Sequence, residues 1–135
     1  MEITVARYTG FCPGVRRAIR MAQEALERDG GLVYSLGPII HNPQVVEELK
    51  AGGLMILPDD AQSLEKAELE GASVVIRSHG VPPRTSQLLR EKGARIVDAT
   101  CPTVKRAQRA AMRLVGEGYR LFVVGNPDHP EVKAI

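Results

Sequence analysis

Cys12-Pro13-Gly14-Val15-Arg16-Arg17-Ala18 decides the reading of the fold, because it returns downstream as Cys101-Pro102-Thr103-Val104-Lys105-Arg106-Ala107. Five of the seven positions are identical, and Arg16 and Lys105 share a charge. In both copies a strand-like stretch precedes the cysteine and a helical pattern follows the proline. Proline has a preset φ and no N–H, so it suits the first position of a helix. Behind the first copy, Val15, Ile19, Ala22 and Leu26 fall on one helical face and predict a helix to about Arg28. Behind the second, Val104, Ala107, Ala111 and Leu114 predict a helix to about Gly116. Each cysteine is thus expected at the carboxyl end of a strand and at or next to a helix N-cap. The helix dipole and free N–H groups there favour a thiolate, the form that binds iron.

Outward from these turns the chain alternates between strand and helix signals. Glu2–Arg7 alternates and is β-branched, so it reads as a strand. Leu32–Leu36 is a second strand after the Gly30-Gly31 stop. Asn42 and Pro43 form an N-cap and first-turn pair for a helix to about Ala51. Leu54–Leu57 is a short strand, and Asp59 to Gly71 a polar loop with one or two helical turns. Ser73–Arg77 is a strand, Pro82-Pro83 open a helix that stops at Gly93, and Ala94–Val97 is a strand. Tyr119–Val124 is the last strand. Short strands alternating with helices define an α/β protein built of βαβ units with small, largely parallel sheets. No helix is expected after the last strand, so the chain reads as the N-terminal portion of a longer protein.

Composition narrows the function. The chain has 135 residues, 44% hydrophobic and 25% charged, as in soluble globular proteins. A net charge of +2, 4% aromatics and no Trp argue against a nucleic-acid partner. No apolar run approaches the roughly 18 residues of a membrane span. The N-terminus does not read as a signal peptide, so a cytoplasmic location is expected. Two cysteines make no disulfide framework. In a reducing compartment, metal binding or catalysis is then the stronger reading. Buried, inert thiols are the plain alternative.

All three histidines follow predicted strands. His41 lies in Gly37-Pro38-Ile39-Ile40-His41-Asn42-Pro43, His79 in Arg77-Ser78-His79-Gly80-Val81, and His129 in Asn126-Pro127-Asp128-His129-Pro130-Glu131. In a parallel sheet those turns converge on one edge with the cysteines. Imidazoles beside helix starts make an anion site, particularly for phosphate. Zinc is the rival occupant, although the short spacings of common structural zinc sites are absent. Glu131 could act as a general acid or proton relay in such a cleft, or be an ordinary solvated carboxylate. Arg16, Arg17, Arg20, Lys105, Arg106 and Arg109 could form a basic face that steers an anionic substrate or an acidic electron donor. Solvated helix faces are the plainer reading for most of them.

Gly10-Phe11-Cys12-Pro13-Gly14-Val15, Ile40-His41-Asn42, Ser78-His79-Gly80-Val81, Asp98-Ala99-Thr100-Cys101-Pro102 and His129-Pro130-Glu131-Val132 come in a telling order. From Thr9 to Val132 the chain resembles the 4-hydroxy-3-methylbut-2-enyl diphosphate reductase family. The resemblance implies reductive removal of an allylic hydroxyl, the last step of non-mevalonate isoprenoid synthesis. It implies electrons from ferredoxin or flavodoxin and a 4Fe–4S cluster held by three cysteines. Cys12 and Cys101 would be two of these, with the third beyond residue 135. His41, His79 and His129 would bind the substrate diphosphate, and Glu131 would deliver protons.

It further implies three similar α/β units in a pseudo-symmetric array around the cluster. Residues 1–12 would then give a strand to the third unit, 13–100 would form the first unit, and 101–135 would start the second. These 135 residues alone are expected to hold no stable cluster. Two rivals stay open: a non-catalytic phosphate- or metal-binding module, and a thiol switch that pairs Cys12 with Cys101 if their Cα atoms lie within about 7 Å.

Overall fold

The computed structural model describes residues 1–135, apart from the side chain of Asp29. Its elements are α1 (Pro13–Asp29), β1 (Val33–Leu36), α2 (Pro43–Ala51), β2 (Leu54–Leu57) and α3 (Ala61–Lys66). They continue with β3 (Ser73–Ile76), α4 (Pro83–Glu91), β4 (Arg95–Asp98), α5 (Pro102–Gly116) and α6 (Pro130–Ala134). Proline fills the first turn of α1, α2, α4, α5 and α6. Its fixed φ is already helical and its missing N–H would have no helical acceptor there. Asn42 Oδ1 accepts from Val45 N–H at 3.1 Å to cap α2, and Asp60 Oδ1 accepts from Ser63 N–H at 2.8 Å to cap α3.

The four strands form one parallel sheet in the order β2-β1-β3-β4. Val33 pairs with Leu54 on one side and Ser73 on the other, and Ser73 pairs with Arg95. The expected α/β class and parallel pairing are therefore present. β3, Ser-Val-Val-Ile, is buried at every position, as a strand covered on both faces must be. Alternation divides its side chains between two cores. Val75 joins Val33, Leu49 and Leu54 under the small residues Ala18, Ala22 and Ala25 of α1. Val74 and Ile76 join Leu36, Leu64, Leu69 and Leu89 under α3 and α4. The alanines of α1 let that helix lie close to the sheet.

The strand order creates a topological switch point. From β1 the chain crosses through α2 to β2, while from β3 it crosses through α4 to β4 on the other side. The loops leaving β1 and β3 therefore diverge and open a crevice at the carboxyl edge, where ligands of such sheets bind.

Two expected strands are not formed. Glu2–Arg7 and Tyr119–Val124 have strand-like sequences but take no place in the sheet. Alternation specifies a strand only where a neighbour completes its backbone hydrogen bonds, and both segments lie in solvent. Ile3 is 74% exposed, Phe122 79% and Val124 99%. A short helix, α6, does follow the last apolar stretch, where none was expected. Among the described residues no helix is long and apolar enough to cross a membrane.

Candidate active site at the carboxyl edge of the sheet

Both cysteines sit at helix starts, as the repeat predicts, but only Cys101 follows a strand, β4, because none forms before Cys12. Cys12 is the N-cap of α1 and Cys101 the N-cap of α5, and neither thiol makes a capping hydrogen bond. Both sulfurs face the same point. A Cβ built on Gly14 would lie 2.8 Å from Cys101 Sγ and 3.8 Å from Cys12 Sγ. Gly14 thus keeps open the space between two soft donors at two helix N-termini. Cys12 is exposed and Cys101 partly so. Converging, accessible thiols with room between them suit a thiolate-bound iron–sulfur group better than a packed core.

Backbone hydrogen bonds stitch the sulfur side to the histidine side. Cys101 N–H donates to Ser78 C=O at 2.9 Å, and Ser78 N–H donates to Ile39 C=O at 3.5 Å. Ser78 precedes His79 directly, and Ile39 lies just before His41. The three turns after β1, β3 and β4 are thereby one connected edge. His41 and His79 leave from β1 and β3, the pair that flanks the switch point.

All three histidines meet. Their ring centroids are 4.6 Å (His41–His79), 5.5 Å (His79–His129) and 6.3 Å (His41–His129) apart. One ring nitrogen from each lies within 4.8 Å of the others. Burial holds the His79 pKa down, from 6.5 to about 4, with help from the charges of His41, Arg77 and His129. His79 is therefore neutral near pH 7, and its Nδ1 is buried without a partner. Three imidazoles converge with one of them lacking a partner, an arrangement open to a ligand.

His129 argues for an anion over a metal ion. It is the N-cap of α6, and its Nδ1 accepts from Glu131 N–H at 3.3 Å. That bond assigns the proton of neutral His129 to Nε2, which is then a donor. Metal-bound imidazoles show the opposite pattern, with the far nitrogen donating to an acceptor. Zinc is thus the poorer fit to this triad. Glu131, in the first turn of α6, is part-buried beside it.

The basic residues divide differently from the expected steering face. Arg17 reaches across to the C=O groups of Thr100 and Asp98, at 3.2 and 3.4 Å. Lys105 pairs with Asp98 at 2.6 Å, and Asp98 Oδ1 accepts from Thr100 N–H at 3.0 Å. Burial pushes the Asp98 carboxyl up, but Lys105 and the Thr100 hydrogen bonds outweigh it and leave its pKa lowered. These two cations brace the Cys101 turn. Arg20 and Arg106 stay on the surface, paired with Glu24 and Thr103.

Sequence reasoning missed Gly14 and Arg77. The signal for Gly14 was the one dissimilar position of the repeat, glycine against Thr103. Arg77 carried no signal, because a cation at the end of a buried strand is meaningful only once its partners are known.

A parallel α/β unit that gathers imidazoles at its switch point, with two thiols nearby, defines a class of ligand-binding proteins. Residues 3–135 match the LytB protein family, and the chain belongs to it. A relative from Aquifex aeolicus, 4-hydroxy-3-methylbut-2-enyl diphosphate reductase, is 46% identical over 98% of this chain and 44% of its own length. A relative of the same name from Geobacter sulfurreducens is 46% identical over 100% of this chain and 45% of its own.

A solved structure of (E)-4-hydroxy-3-methyl-but-2-enyl diphosphate reductase, described as the terminal enzyme of the non-mevalonate pathway, superposes with a TM-score of 0.81. It is 46% identical and is matched over 98% of this chain and 45% of that one. The Plasmodium falciparum E-1-hydroxy-2-methyl-but-2-enyl-4-diphosphate reductase superposes with a TM-score of 0.86 at 27% identity, over 95% of this chain and 39% of that one. The chain therefore spans about half the length of the curated relatives it matches, 44% and 45% in these two.

Proposed function

We propose that the intact protein reduces 4-hydroxy-3-methylbut-2-enyl diphosphate to isopentenyl and dimethylallyl diphosphate, with the hydroxyl leaving as water. The gathering of His41, His79 and His129 at the switch point, stitched to the Cys101 turn, carries this reading. Family membership and the names of the relatives support it. The three imidazoles bind the diphosphate, and His129 donates from Nε2. Glu131 holds the proton for the departing hydroxyl. Cys12 and Cys101 supply two thiolates to a 4Fe–4S cluster, and a third comes from beyond residue 135. When bound, that cluster would supply the electrons for the reduction. Ferredoxin or flavodoxin delivers those electrons in the cytoplasm. In the intact protein, residues 1–12 pair with the third of three similar units, 13–100 form the first, and 101–135 begin the second.

Reconstitution of the intact protein with iron and sulfide, without oxygen, tests the thiol assignment. Visible iron–sulfur absorption is expected, and Cys12→Ser should remove most of it. Full absorption in the variant, or a Cys12–Cys101 disulfide as the only product, would sink the assignment. Calorimetric titration with inorganic diphosphate tests the histidines. Replacement of any one by Ala should weaken binding about tenfold or more, and unchanged affinity overturns its role.

A further inference from the structure

We infer that the Arg77–Asp59 ion pair, with its guanidinium buried and its carboxylate half-exposed, is a positioning device that holds the two histidine-bearing turns at the spacing the diphosphate needs. For its ligand this rests on the reading above. Arg77 follows β3 directly and stands two residues before His79. Its side chain is 10% exposed, and its guanidinium pairs with Asp59, which lies just beyond β2. The same guanidinium lies against Gly37, the first residue after β1. A Cβ on Gly37 would overlap it, and Gly37 has φ +64, where side chains are strained. One side chain thus joins the carboxyl ends of β1, β2 and β3. Its neighbour repeats the stitch, since Ser78 Oγ donates to Ile39 C=O at 3.3 Å. The loop between Gly37 and His41 is therefore fixed to the His79 turn at both Gly37 and Ile39.

The pair is poorly explained as a stabilising contact. Arg77 loses most of its water, while Asp59 is 47% exposed and its attraction is screened, so the pair contributes little to stability on balance. Arg77 Nε is moreover buried with no hydrogen-bond partner. Asp59 offsets the charge of Arg77, so the pair adds little net attraction for an anion. What remains is geometry: a planar fork with a fixed reach, set between three strand ends. A cavity of about 90 Å³ beside it, lined by Arg77, Asp59, Gly80, Pro130 and Lys133, gives the side chain room to swing if Asp59 releases it.

The test compares Arg77→Met, Arg77→Lys and Asp59→Asn in the intact protein. Inorganic diphosphate affinity is read by calorimetry, and the His41–His79 ring contact by nuclear Overhauser effects. Arg77→Met should weaken diphosphate binding about tenfold and abolish the ring contact, and lysine should restore only part of either. Its loss should also raise the His79 titration midpoint, because His41, Arg77 and His129 are the charges that face that ring. Asp59→Asn separates position from charge. A positioning pair predicts weaker binding, whereas a purely electrostatic Arg77, freed of its counter-charge, would bind diphosphate more tightly. Tighter binding by Asp59→Asn, or an unchanged ring contact in both variants, overturns the inference. If Arg77→Met fails to fold, Asp59→Asn decides alone. If the unaltered protein does not bind diphosphate, the functional reading falls, and the ring contact in the variants still decides the positioning.

Discussion

The gap beside Cys12 and Cys101 is the missing side chain of Gly14, and a ligand shared by the two sulfurs, as proposed above, would need it. A methyl there would stand 2.8 Å from Cys101 Sγ, inside van der Waals contact. Gly14 lies in the first turn of α1 without a positive φ, so alanine suits its backbone. Gly14→Ala is therefore expected to leave thermal stability nearly unchanged while cutting iron uptake during reconstitution severalfold. Bound iron and visible absorption give the measurement, and full loading of the variant would refute the gap. The repeat made both cysteines legible as helix N-caps, since each stands directly before the proline that opens a helix. It did not reveal that both sulfurs lie beside Gly14, because that depends on how α1 and α5 are placed.

His79 carries a second residue-scale consequence. Folding lowers its pKa from 6.5 to about 4, first through burial and then through its charged neighbours. The folded state therefore binds this proton less readily than the unfolded state. Its contribution to stability is intact above about pH 6.5 and is lost progressively as pH falls toward 4. Diphosphate bound at His79, as proposed above, should reverse the effect, because an anion favours imidazolium. Binding near pH 7 should thus take up protons, and calorimetric heats should vary with the ionisation enthalpy of the buffer. His79→Asn should remove most of that dependence. Equal uptake in the variant would move the proton to another group.

At the scale of elements, the helices were legible because their signals are local. Asn42 with Pro43 fixes the start of α2 without reference to the rest of the chain. The cap also matters to the site, since His41 immediately precedes it. Asn42→Ala should cost about 1 kcal/mol of stability, seen as a lower denaturation midpoint. It should also broaden the His41 ring signals. An unshifted midpoint would mean that water replaces the cap at no cost. The strands expected at Glu2–Arg7 and Tyr119–Val124 are absent from this sheet for the converse reason. A strand is completed by a neighbour, and the pattern of one segment cannot report whether that neighbour is there. Helix α6 was missed because five residues are too few to show a helical period.

For the molecule as a whole, alternating strands and helices reveal the α/β class but not the strand order. Every βαβ crossover carries a similar pattern, so the position of β1 between β2 and β3, and with it the crevice, emerges only from the packed sheet. The same sheet leaves two apolar segments uncovered. Ile3 and Val5, and Leu121 through Val124, are all exposed, whereas Val74 and Val75 are fully buried. Exposed β-branched edges are ready templates for pairing, and the matched relatives are about twice as long as this chain. Amide hydrogen exchange measures whether the pairing occurs. In the 135-residue chain, amides of Leu121–Val124 should exchange near the rate of an unfolded peptide while those of Val74–Ile76 stay protected. In the intact protein, Ile3–Val5 and Leu121–Val124 should become protected, as strands of the third and second units. Fast exchange there in the intact protein would break the three-unit arrangement. Slow exchange in the 135-residue chain would mean that these segments pair with one another or with a second copy.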